Sequence, residues 1–322
     1  MTGNGDMIGE SDMAGRAIRK VAVTGYQGFI GRHLVADLRA AKYEVRGLGR
    51  GPTQRPGDYQ TEYDAASLTD ALQGMDAVIH LAGRRMTRED DPHDLAPFLK
   101  PNVKMIGDLV RACRSAGVRR IVLASTIAVY APDGSAPYHE GATRPRPINA
   151  YALSKLMAEA YLDLQCRDSA CNALSLRIAA TYGAGEKGTP ALMRFISQAT
   201  DGETLVLKGN PAFLVDQIYV KDVTRAFIAA LEHPQVNGVL NIGGGRGIPV
   251  FEMAETVNDV FGQPGRLDRS EAVMAPSPDT HMDIAQSRVR LGWAPRFSLH
   301  DGLTDLRAAL DHDRIFAEKK GN

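Results

Sequence analysis

Short apolar runs alternate with helical patterns through the first half of the chain, and this alternation limits the folds that the sequence can adopt. Five runs have the length and composition of buried strands, namely KVAVTG (20–25), YEVRGLGR (43–50), DAVIHLAG (76–83), RRIVLAST (119–126) and ALSLRIAA (173–180). Between them, apolar residues recur at helical spacing in segments 29–41, 67–74, 102–117 and 149–168. Strands that alternate with helices form a parallel sheet with helices on both faces. We therefore predict an α/β fold with a doubly wound parallel sheet.

The pattern is different after residue 180. The predicted order there is a loop at 181–190, a helix near 191–200, a strand at 213–220, a helix at 221–233, a strand at 238–245 and helices over most of 249–316. We predict that residues 19–180 form one domain and that 181–322 form a smaller mixed domain, with 213–245 partly returning to the first sheet. Residues 1–18 lack the basic start and apolar block of a signal peptide and are predicted to be a flexible leader.

The composition is that of a globular protein without a strongly charged partner. Lysine and arginine together number 38, as do aspartate and glutamate, so the formal net charge is zero. Without a basic surplus, nucleic acid and anionic membranes are not expected partners. No stretch approaches eighteen uninterrupted apolar residues, which argues against a membrane span. The three cysteines are odd in number and lack a metal-ligand spacing, so we expect no disulfide framework, no metal and a reducing, cytoplasmic location.

Three glycines follow the first predicted strand, in VAVTGYQGFIGR (21–32). In a strand–turn–helix unit, Gly25 permits the tight turn that leaves the strand, and Gly28 lets backbone N–H groups approach a pyrophosphate. Gly31 then allows the helix to pack against the sheet. The N-terminus of that helix adds unpaired N–H donors and partial positive charge. The alternative is a glycine-rich turn needed only for packing, but the flanking strand and helix favour a Rossmann-type dinucleotide site.

The end of the second strand bears on which dinucleotide binds. Sites for NAD usually carry Asp or Glu there, to hold the ribose 2′-hydroxyl, but this chain has GLGR (47–50). Arg50 either faces the 2′-phosphate of NADP or is a solvated arginine at the start of a loop. Asp64 also has two interpretations, because it lies near the adenine or caps the helix predicted at 67–74. The cofactor is therefore predicted to be NAD or NADP.

Tyr151 and Lys155 are the residues most suited to chemistry. They lie four positions apart in NAYALSKLMAEAYL (149–162), and therefore on one face of the predicted helix. Free tyrosine has a pKa near ~10, and a neighbouring ammonium together with an oxidised nicotinamide lowers that pKa, which makes a usable general acid or base. On a random helix such a pair is more often an ordinary surface pair. Its place one strand–helix unit after a serine–threonine pair favours the catalytic interpretation.

Thr126 ends the fourth predicted strand, in VLASTIAVY (122–130). Ligands of open parallel sheets bind beyond the carboxyl ends of the strands. Thr126 can therefore donate a hydrogen bond to the same substrate oxygen that Tyr151 protonates or deprotonates, although an isolated threonine is also an ordinary strand residue.

Several motifs in order make the chain resemble the extended short-chain dehydrogenase/reductases, specifically their NAD(P)-dependent sugar epimerase/dehydratase group. The motifs are TGYQGFIG (24–31), HLAG (80–83), NVKMIGDLVRAC (102–113), STIAVY (125–130), YALSK (151–155), IYVKDVTRAFIAALEHP (218–234), NIGGG (241–245) and LGWAP (291–295). The resemblance implies a homodimer formed through a four-helix bundle. It also implies that NIGGG is a structural turn and not a second phosphate loop.

The resemblance implies functional residues through their match to these motifs. The implied catalytic group is Thr126, Tyr151 and Lys155. The implied cofactor contacts are Gly25, Gln27, Gly28, Phe29, Ile30, Asp64, Ala65, Leu81, Ala82, Gly83 and Asn102. The predicted cofactor set also includes Arg50, Tyr151 and Lys155, and the predicted substrate-binding positions are Thr126, Ile127, Tyr151 and Ala180.

Four positions depart from the pattern of that group. Its dehydratases carry an Asp-Glu pair directly after the serine/threonine motif, where this chain has Ile127 and Ala128, so 4,6-dehydration is not expected. Ala180 replaces an asparagine and Val215 replaces an arginine, both of which normally help to hold the diphosphate of a nucleotide sugar. Either other residues compensate, or the substrate is not a nucleotide diphosphate sugar. The candidates for compensation are Lys187, Arg194 and Lys208.

Three functions are compatible with these residues. The main hypothesis is an NAD(P)-dependent epimerase of a nucleotide-linked sugar, in which Tyr151 takes a hydroxyl proton and the hydride passes to the cofactor and back to the other face of the sugar. The alternative is an NADPH-dependent sugar ketoreductase or dehydrogenase with net hydride transfer, which Arg50 favours slightly. The third is a redox-sensing protein that only binds dinucleotide, and such a protein can do without Tyr151 and Lys155.

Overall fold

The structure is a computed structural model that describes residues 17–321, apart from 168, 187–189, 263–264 and 273–276. For residue 190 and residues 313–321 it describes the backbone only. The predicted leader lies outside the described residues, except for its last two positions.

Seven parallel strands form the central sheet, which confirms the predicted fold class. They are β1 (Lys20–Thr24), β2 (Glu44–Gly49), β3 (Tyr59–Gln60), β4 (Ala77–His80), β5 (Arg120–Thr126), β6 (Asn172–Ile178) and β11 (Gly238–Ile242). Their order across the sheet is β11-β6-β5-β4-β1-β2-β3, and every neighbouring pair is parallel. From β1 the strands continue outwards through β2 to β3, and from β4 they continue in the opposite direction through β5 and β6 to β11. In such sheets the ligand crevice lies beyond the carboxyl ends of the two strands at that point.

Helices cover both faces of this sheet or pack in a separate core beside it. They are α1 (Phe29–Ala40), α2 (Ala65–Leu72), α3 (Ala96–Phe98), α4 (Met105–Ala116), α5 (Ala150–Cys166), α6 (Pro190–Thr200), α7 (Val220–Glu232), α8 (Val250–Phe261), α9 (Ala285–Leu291) and α10 (Leu299–Gly321). A π-helix, Leu99–Lys104, joins α3 to α4. Successive residues of β1 point to opposite layers, because Val21 and Val23 pack with α1 and α7 whereas Ala22 packs with α2 and α4. Within the described ranges, no helix is long and apolar enough to cross a membrane.

A third core lies beside the main sheet. It is built from α6, α8 and α10 together with β7 (Ala180–Tyr182) and β10 (Gln217–Tyr219), which pair in parallel. The other short pairs are β8 (Leu205–Val206) with β13 (Leu267–Asp268) and β9 (Leu214–Val215) with β12 (Ile248–Pro249). Phe29 and Ile30, the first two residues of α1, pack against this core. The third core therefore adjoins the glycine turn.

The run at 213–220 is not the single strand that was predicted. It divides at Asp216 into β9 and β10, and neither joins the main sheet. The buried Asp216 carboxylate accepts hydrogen bonds from Gly244 N at 2.7 Å and Met282 N at 3.0 Å, so its side chain ties two other loops together. Because Gly244 donates inside the protein, NIGGG (241–245) is a structural turn.

The helices predicted over most of 249–316 are α8, α9 and α10, and the stretch between α8 and α9 is longer than a short turn. Gly262 adopts the left-handed conformation that ends α8, with a φ of +76°. The described residues between α8 and α9 form loops and β13 instead of helix.

Candidate active site

The glycine turn brings β1, the start of α1 and the end of β4 together. Gly25 has a φ of +68°, and a Cβ at this position would come within 2.9 Å of Ala82 N. Gly28 donates its N–H to Gly25 O at 2.9 Å and is the N-cap of α1. A Cβ on Gly31 would overlap the Gly25 carbonyl oxygen and the backbone of Tyr26. The close packing of Gly31 is therefore against the turn and not, as predicted, against the sheet.

The first turn of α1 is suited to an anionic group. Its N-cap is Gly28, which has no side chain to accept a hydrogen bond from the first N–H groups, and the turn contains no acidic residue. Phe29 and Ile30 begin the helix, so their N–H groups lack a helical carbonyl partner. Such N-termini bind phosphate through these N–H groups and the helix dipole. The residues present therefore fit the pyrophosphate of a dinucleotide.

Tyr26 explains why glycines occupy the end of β2. Its buried ring lies against the backbone there, and a Cβ on Gly47 would come within 2.6 Å of ring atom Cδ2. A Cβ on Gly49 would lie 3.0 Å from ring atom Cε1. The side chain of Gln27 donates to the Tyr26 hydroxyl at 3.2 Å and to Pro52 O at 3.0 Å. Gln27 therefore braces the loop after β2. The sequence analysis missed Tyr26, although an aromatic residue inside a glycine turn is a visible signal.

Arg50 lies directly after β2 and is exposed. Its guanidinium has no hydrogen-bond or ion-pair partner within the part of the chain that the structure describes. Burial raises the pKa of Tyr63, and the charge of Arg50 opposes this rise. The Tyr63 hydroxyl donates to Leu48 O at 2.8 Å and accepts from Gly25 N at 3.1 Å. Arg50 is therefore a free cation close to the glycine turn.

Asp64 is the N-cap of α2. Its Oδ1 accepts a hydrogen bond from Ser67 N at 2.8 Å, and this bond is the main cause of the lowered pKa of the carboxyl. The helix begins at Ala65, two residues earlier than predicted. The structure shows Asp64 as the helix cap, and its contact with the adenine stays a prediction. Thr61 lies closer to the end of β2, because its N–H donates to Gly49 O at 2.9 Å.

Thr24 fixes the backbone that follows β4. Its Oγ1 accepts hydrogen bonds from Leu81 N and Ala82 N, both at 3.1 Å. The same oxygen lies 2.8 Å from His80 Nδ1. Burial lowers the pKa of His80 to about 3, and the charge of Lys155 lowers it further, so the imidazole is neutral. A neutral ring nitrogen can accept a hydrogen bond from the Thr24 hydroxyl. The predicted cofactor contacts in this segment are Leu81, Ala82 and Gly83.

Asn102 connects this segment to the helix that carries Tyr151. It lies in the π-helix, where its Oδ1 accepts from Arg84 N at 2.8 Å and its Nδ2 donates to Arg84 O at 3.1 Å. Nδ2 also donates to Ser154 Oγ at 2.8 Å, and Ser154 Oγ donates to Tyr151 O at 2.7 Å. The amide therefore orients the residues around the crevice. The direct cofactor contact expected of Asn102 stays a prediction.

Thr126 and Tyr151 meet beyond the carboxyl end of β5. Asn149 caps α5 by accepting a hydrogen bond from Ala152 N at 2.8 Å, which fixes the turn that carries Tyr151. Burial raises the pKa of Tyr151, whereas the charge of Arg85 and a hydrogen bond from Thr126 lower it. In the chain alone, burial is therefore the largest influence on the pKa of Tyr151. The cation that lowers this pKa is Arg85, which the sequence analysis did not consider, and not Lys155 as predicted.

Lys155 is buried one helical turn after the tyrosine. Burial lowers the pKa of its ammonium to about 8, and the charge of Glu159 opposes this shift. Glu159 is itself buried, pairs with Arg177 at 2.7 Å and accepts a short hydrogen bond from Ser125. Lys155 therefore adjoins a buried ionic network that the sequence analysis missed. The spacing of four residues between Lys155 and Glu159 is the signal that would have found it.

Arg85 also comes close to Tyr151, and it too was missed. It follows β4, two residues after the HLAG motif, and its Nη1 lies 3.1 and 3.0 Å from the two carboxylate oxygens of Glu186. Glu186 follows β7 and is 101 residues away in sequence. An arginine so close to a cofactor-binding motif is visible in the sequence, but its partner is not.

Apolar side chains occupy the positions where the family pattern has polar substrate-binding or catalytic groups. Ile127 lies in a short 3₁₀ turn directly after β5, held by a hydrogen bond from Ala128 N to Thr126 Oγ1 at 3.2 Å. Ala180 begins β7, and Val215 lies in β9. Ala180 and Val215 supply no polar side chain in place of the asparagine and arginine expected to hold a diphosphate.

The cations suggested as replacements differ in their surroundings. Lys208 pairs with Glu271 at 2.8 Å on the surface. Arg194 is exposed, with its guanidinium carbon 5.2 Å from the ring centre of Phe195. Lys187 lies outside the described residues.

The sequence matches a known family over most of its length. Residues 21–243 match the sequence model of the NAD dependent epimerase/dehydratase family. The matched range contains the glycine turn, Thr126, Tyr151 and the seven strands of the main sheet apart from Lys20, the first residue of β1.

Relatives of known activity resemble the whole chain. A UDP-glucose 4-epimerase of Azospirillum brasilense is 30% identical over 333 aligned residues, covering 94% of this chain and 94% of that protein. A dTDP-4-dehydro-6-deoxy-D-allose reductase of Streptomyces bikiniensis is 29% identical, covering 80% and 87%. Among solved structures, a UDP-N-acetylglucosamine 4-epimerase of Bacillus cereus is 28% identical with a TM-score of 0.82, covering 91% of this chain and 96% of that one. The relatives thus include epimerases and a reductase.

Proposed function

Since the chain belongs to the NAD dependent epimerase/dehydratase family, we propose that it epimerises a nucleotide-linked sugar through transient oxidation of a ring hydroxyl. The observation that carries the proposal is the closeness of the Thr126 and Tyr151 side chains at the carboxyl end of β5, where the Thr126 hydroxyl lowers the pKa of Tyr151. This strand is next to β4 in the sheet, and therefore close to the crevice where ligands of such sheets bind.

The proton chemistry belongs to this chain's own residues. Tyr151 takes the proton of the sugar hydroxyl, and Thr126 holds the same oxygen by a hydrogen bond. Lys155 carries a positive charge below its pKa of about 8 and stabilises the phenolate that forms. In the second half of the reaction Tyr151 returns its proton to the sugar oxygen. A bound nicotinamide supplies the hydride acceptor and, afterwards, the hydride donor.

The cofactor of this family is NAD or NADP, and two features of the chain would hold it. The N–H groups of Phe29 and Ile30 fit the pyrophosphate. Arg50 would pair with the 2′-phosphate of NADP, and its lack of a partner within the described residues supports NADP as the preferred form.

The second candidate function is net reduction of a keto sugar by NADPH. It uses Thr126, Tyr151 and Lys155 once per turnover instead of twice. Arg50 favours it, as does the 29% identity to a reductase. The redox-sensor hypothesis is not retained, because the family and these relatives are enzymes.

We further propose a cytoplasmic homodimer. The exposed side of α5 carries an apolar stripe at spacings of four, three and four residues, which suits pairing with a second copy. The stripe is Leu153, Met157, Ala160 and Leu164. The three cysteines are free and buried, in agreement with a reducing compartment.

The test combines cofactor identification with turnover. Mass spectrometry identifies the dinucleotide that co-purifies, and NMR follows a panel of UDP- and dTDP-linked sugars. We expect interconversion of two epimers with no net change in cofactor redox state. Tyr151→Phe should lower kcat by about 10²–10⁴-fold and keep the cofactor.

Tyr161→Phe is the matched control, because it removes a phenolic hydroxyl from the same helix. It should leave kcat within a factor of about two of the wild-type value, because the half-buried Tyr161 ring packs against Gly107 of α4 and has no proposed role in the site. Stoichiometric consumption of NADPH with a keto sugar would instead establish the reductase.

A further inference from the structure

The loop formed by residues 183–186 contacts both sides of the cofactor crevice. On the α1 side, Ala184 O lies 2.9 Å from His33 Nε2. Arg32 of α1 lies against Gly185, where a Cβ would come within 2.8 Å of its Nη1. Arg32 and His33 lie about one helical turn after Gly28, the N-cap of α1. The 183–186 loop is therefore attached to the helix whose N-terminus fits the pyrophosphate.

The opposite side of the crevice is reached through Glu186. Its carboxylate is almost buried, with 3% of the side chain exposed, and takes two hydrogen bonds from Arg85 Nη1 at 3.1 and 3.0 Å. Arg85 follows β4, whose backbone is held to Thr24 of β1 and to Asn102. Bonds to a charged donor and acceptor are about twice as strong as neutral ones. The Arg85–Glu186 pair thus joins the loop to the β4 side.

Two glycines determine the backbone conformation of the 183–186 loop. Gly183 has a φ of +151° and packs so closely on Val220 that a Cβ would overlap its side chain. Gly185 has a φ of +87°, and Glu186 N donates to Gly183 O at 3.1 Å. Both glycines adopt conformations that other residues avoid, so the loop has a defined shape between its two attachments.

We propose that Arg85 is a positioning residue that holds the 183–186 loop across the crevice and so retains the dinucleotide between the two hydride transfers. The inference rests on the proposed function only in assuming that a dinucleotide occupies this crevice. An epimerase must return the hydride to the same sugar before its cofactor leaves, whereas a net reductase must exchange the cofactor in every turnover. The charge of Arg85 also lowers the pKa of Tyr151, so the loop attachment is within electrostatic reach of the reacting group.

The experiment measures release of the reduced and oxidised dinucleotide from the purified full-length protein without sugar. Stopped-flow displacement of NADH or NADPH fluorescence by excess oxidised cofactor gives the off-rate. Arg85→Gln and Glu186→Gln should each raise the off-rate about tenfold or more, a change of about 1.4 kcal/mol. Arg85→Lys keeps the charge and, like Nη1, offers one nitrogen that can contact both carboxylate oxygens of Glu186, so its off-rate should stay near the wild-type value.

Arg269→Gln is the matched control, because it breaks a surface Arg–Glu pair at 3.0 Å with Glu255 on the exposed face of α8. It should leave the off-rate unchanged, and thermal melting checks that all variants are folded. Normal binding with unchanged release in both Arg85→Gln and Glu186→Gln would overturn the role of Arg85 alone. Absence of dinucleotide binding by the wild type would overturn the proposed function as well.

Discussion

Arg50 is the residue on which the choice between NAD and NADP is expected to depend. It is exposed directly after β2, where NAD enzymes usually carry an acid for the ribose 2′-hydroxyl. Arg50→Asp should therefore weaken NADP binding and strengthen NAD binding, shifting the ratio of their Kd values about tenfold or more towards NAD. Titration of both dinucleotides by calorimetry measures the ratio.

Arg55→Asp serves as the charge-matched control, since Arg55 is an exposed arginine in the same loop. An equal shift for both variants would show that the net charge of the loop is responsible, and not the position of Arg50. No shift for Arg50→Asp would remove the structural support for NADP.

Lys155 should set the upper limb of the pH profile of turnover. Its ammonium is charged below a pKa of about 8, so kcat is expected to fall as the pH rises through that value. Glu159 raises the pKa of Lys155, and Glu159→Gln should therefore begin this fall at a lower pH. Measurement of kcat against pH for both proteins tests the shift.

Asp163→Asn is the control for that profile, because it removes a carboxylate from the surface of the same helix, where it pairs with Arg167. Its profile should match the wild type. Coinciding profiles for wild type and Glu159→Gln would show that Glu159 has no electrostatic effect on the reaction. Melting curves are needed beside them, because the residue also pairs with Arg177 in the core.

At the scale of elements, the junction of β1 and α1 tolerates no side chain at residue 31. A Cβ there would overlap the Gly25 carbonyl oxygen, so the turn or the helix must move. Gly31→Ala should lower the free energy of unfolding by about 1–3 kcal/mol and weaken dinucleotide binding. Gly141→Ala, where a Cβ meets nothing within 4 Å, is the control and should change neither. Wild-type binding by Gly31→Ala would contradict this role of the turn.

Local sequence patterns predicted most of the elements in the first half of the chain. Buried parallel strands are continuous apolar runs, and amphipathic helices repeat every three to four residues, so both are visible in short windows. The division of 213–220 was not visible, because it depends on Asp216 bonding to Gly244 and Met282. The packing of the Tyr26 ring against Gly47 was not visible either, because it joins the turn after β1 to β2.

At the scale of the whole molecule, the apolar stripe on α5 should mediate dimerisation. Leu153 and Leu164 are 38% and 60% exposed and lie on one face of the helix. Leu153→Glu combined with Leu164→Glu should convert a dimer to a monomer, as measured by light scattering after gel filtration. Val289→Glu changes a more exposed apolar residue on α9 and should leave the dimer intact. A wild-type monomer would refute the proposed assembly.

The site could be predicted only in part because its members come from distant parts of the chain. The glycine turn and the Tyr151–Lys155 spacing are local, and the order of the motifs linked them to Thr126. The pairing of Arg85 with Glu186 spans 101 residues and has no local pattern. The link from Asn102 through Ser154 to Tyr151 likewise follows from the folded chain alone.

The π-helix at Leu99–Lys104 makes the number of residues before α4 as important as their identity. A π turn holds one residue more than an α turn, and each residue of an α-helix advances the chain by about 100° around the axis. Deletion of one position here would rotate Asn102 away from Arg84 or expose the buried face of α4. Substitutions in this stretch other than at Asn102 should therefore disturb the site less than a change in its length.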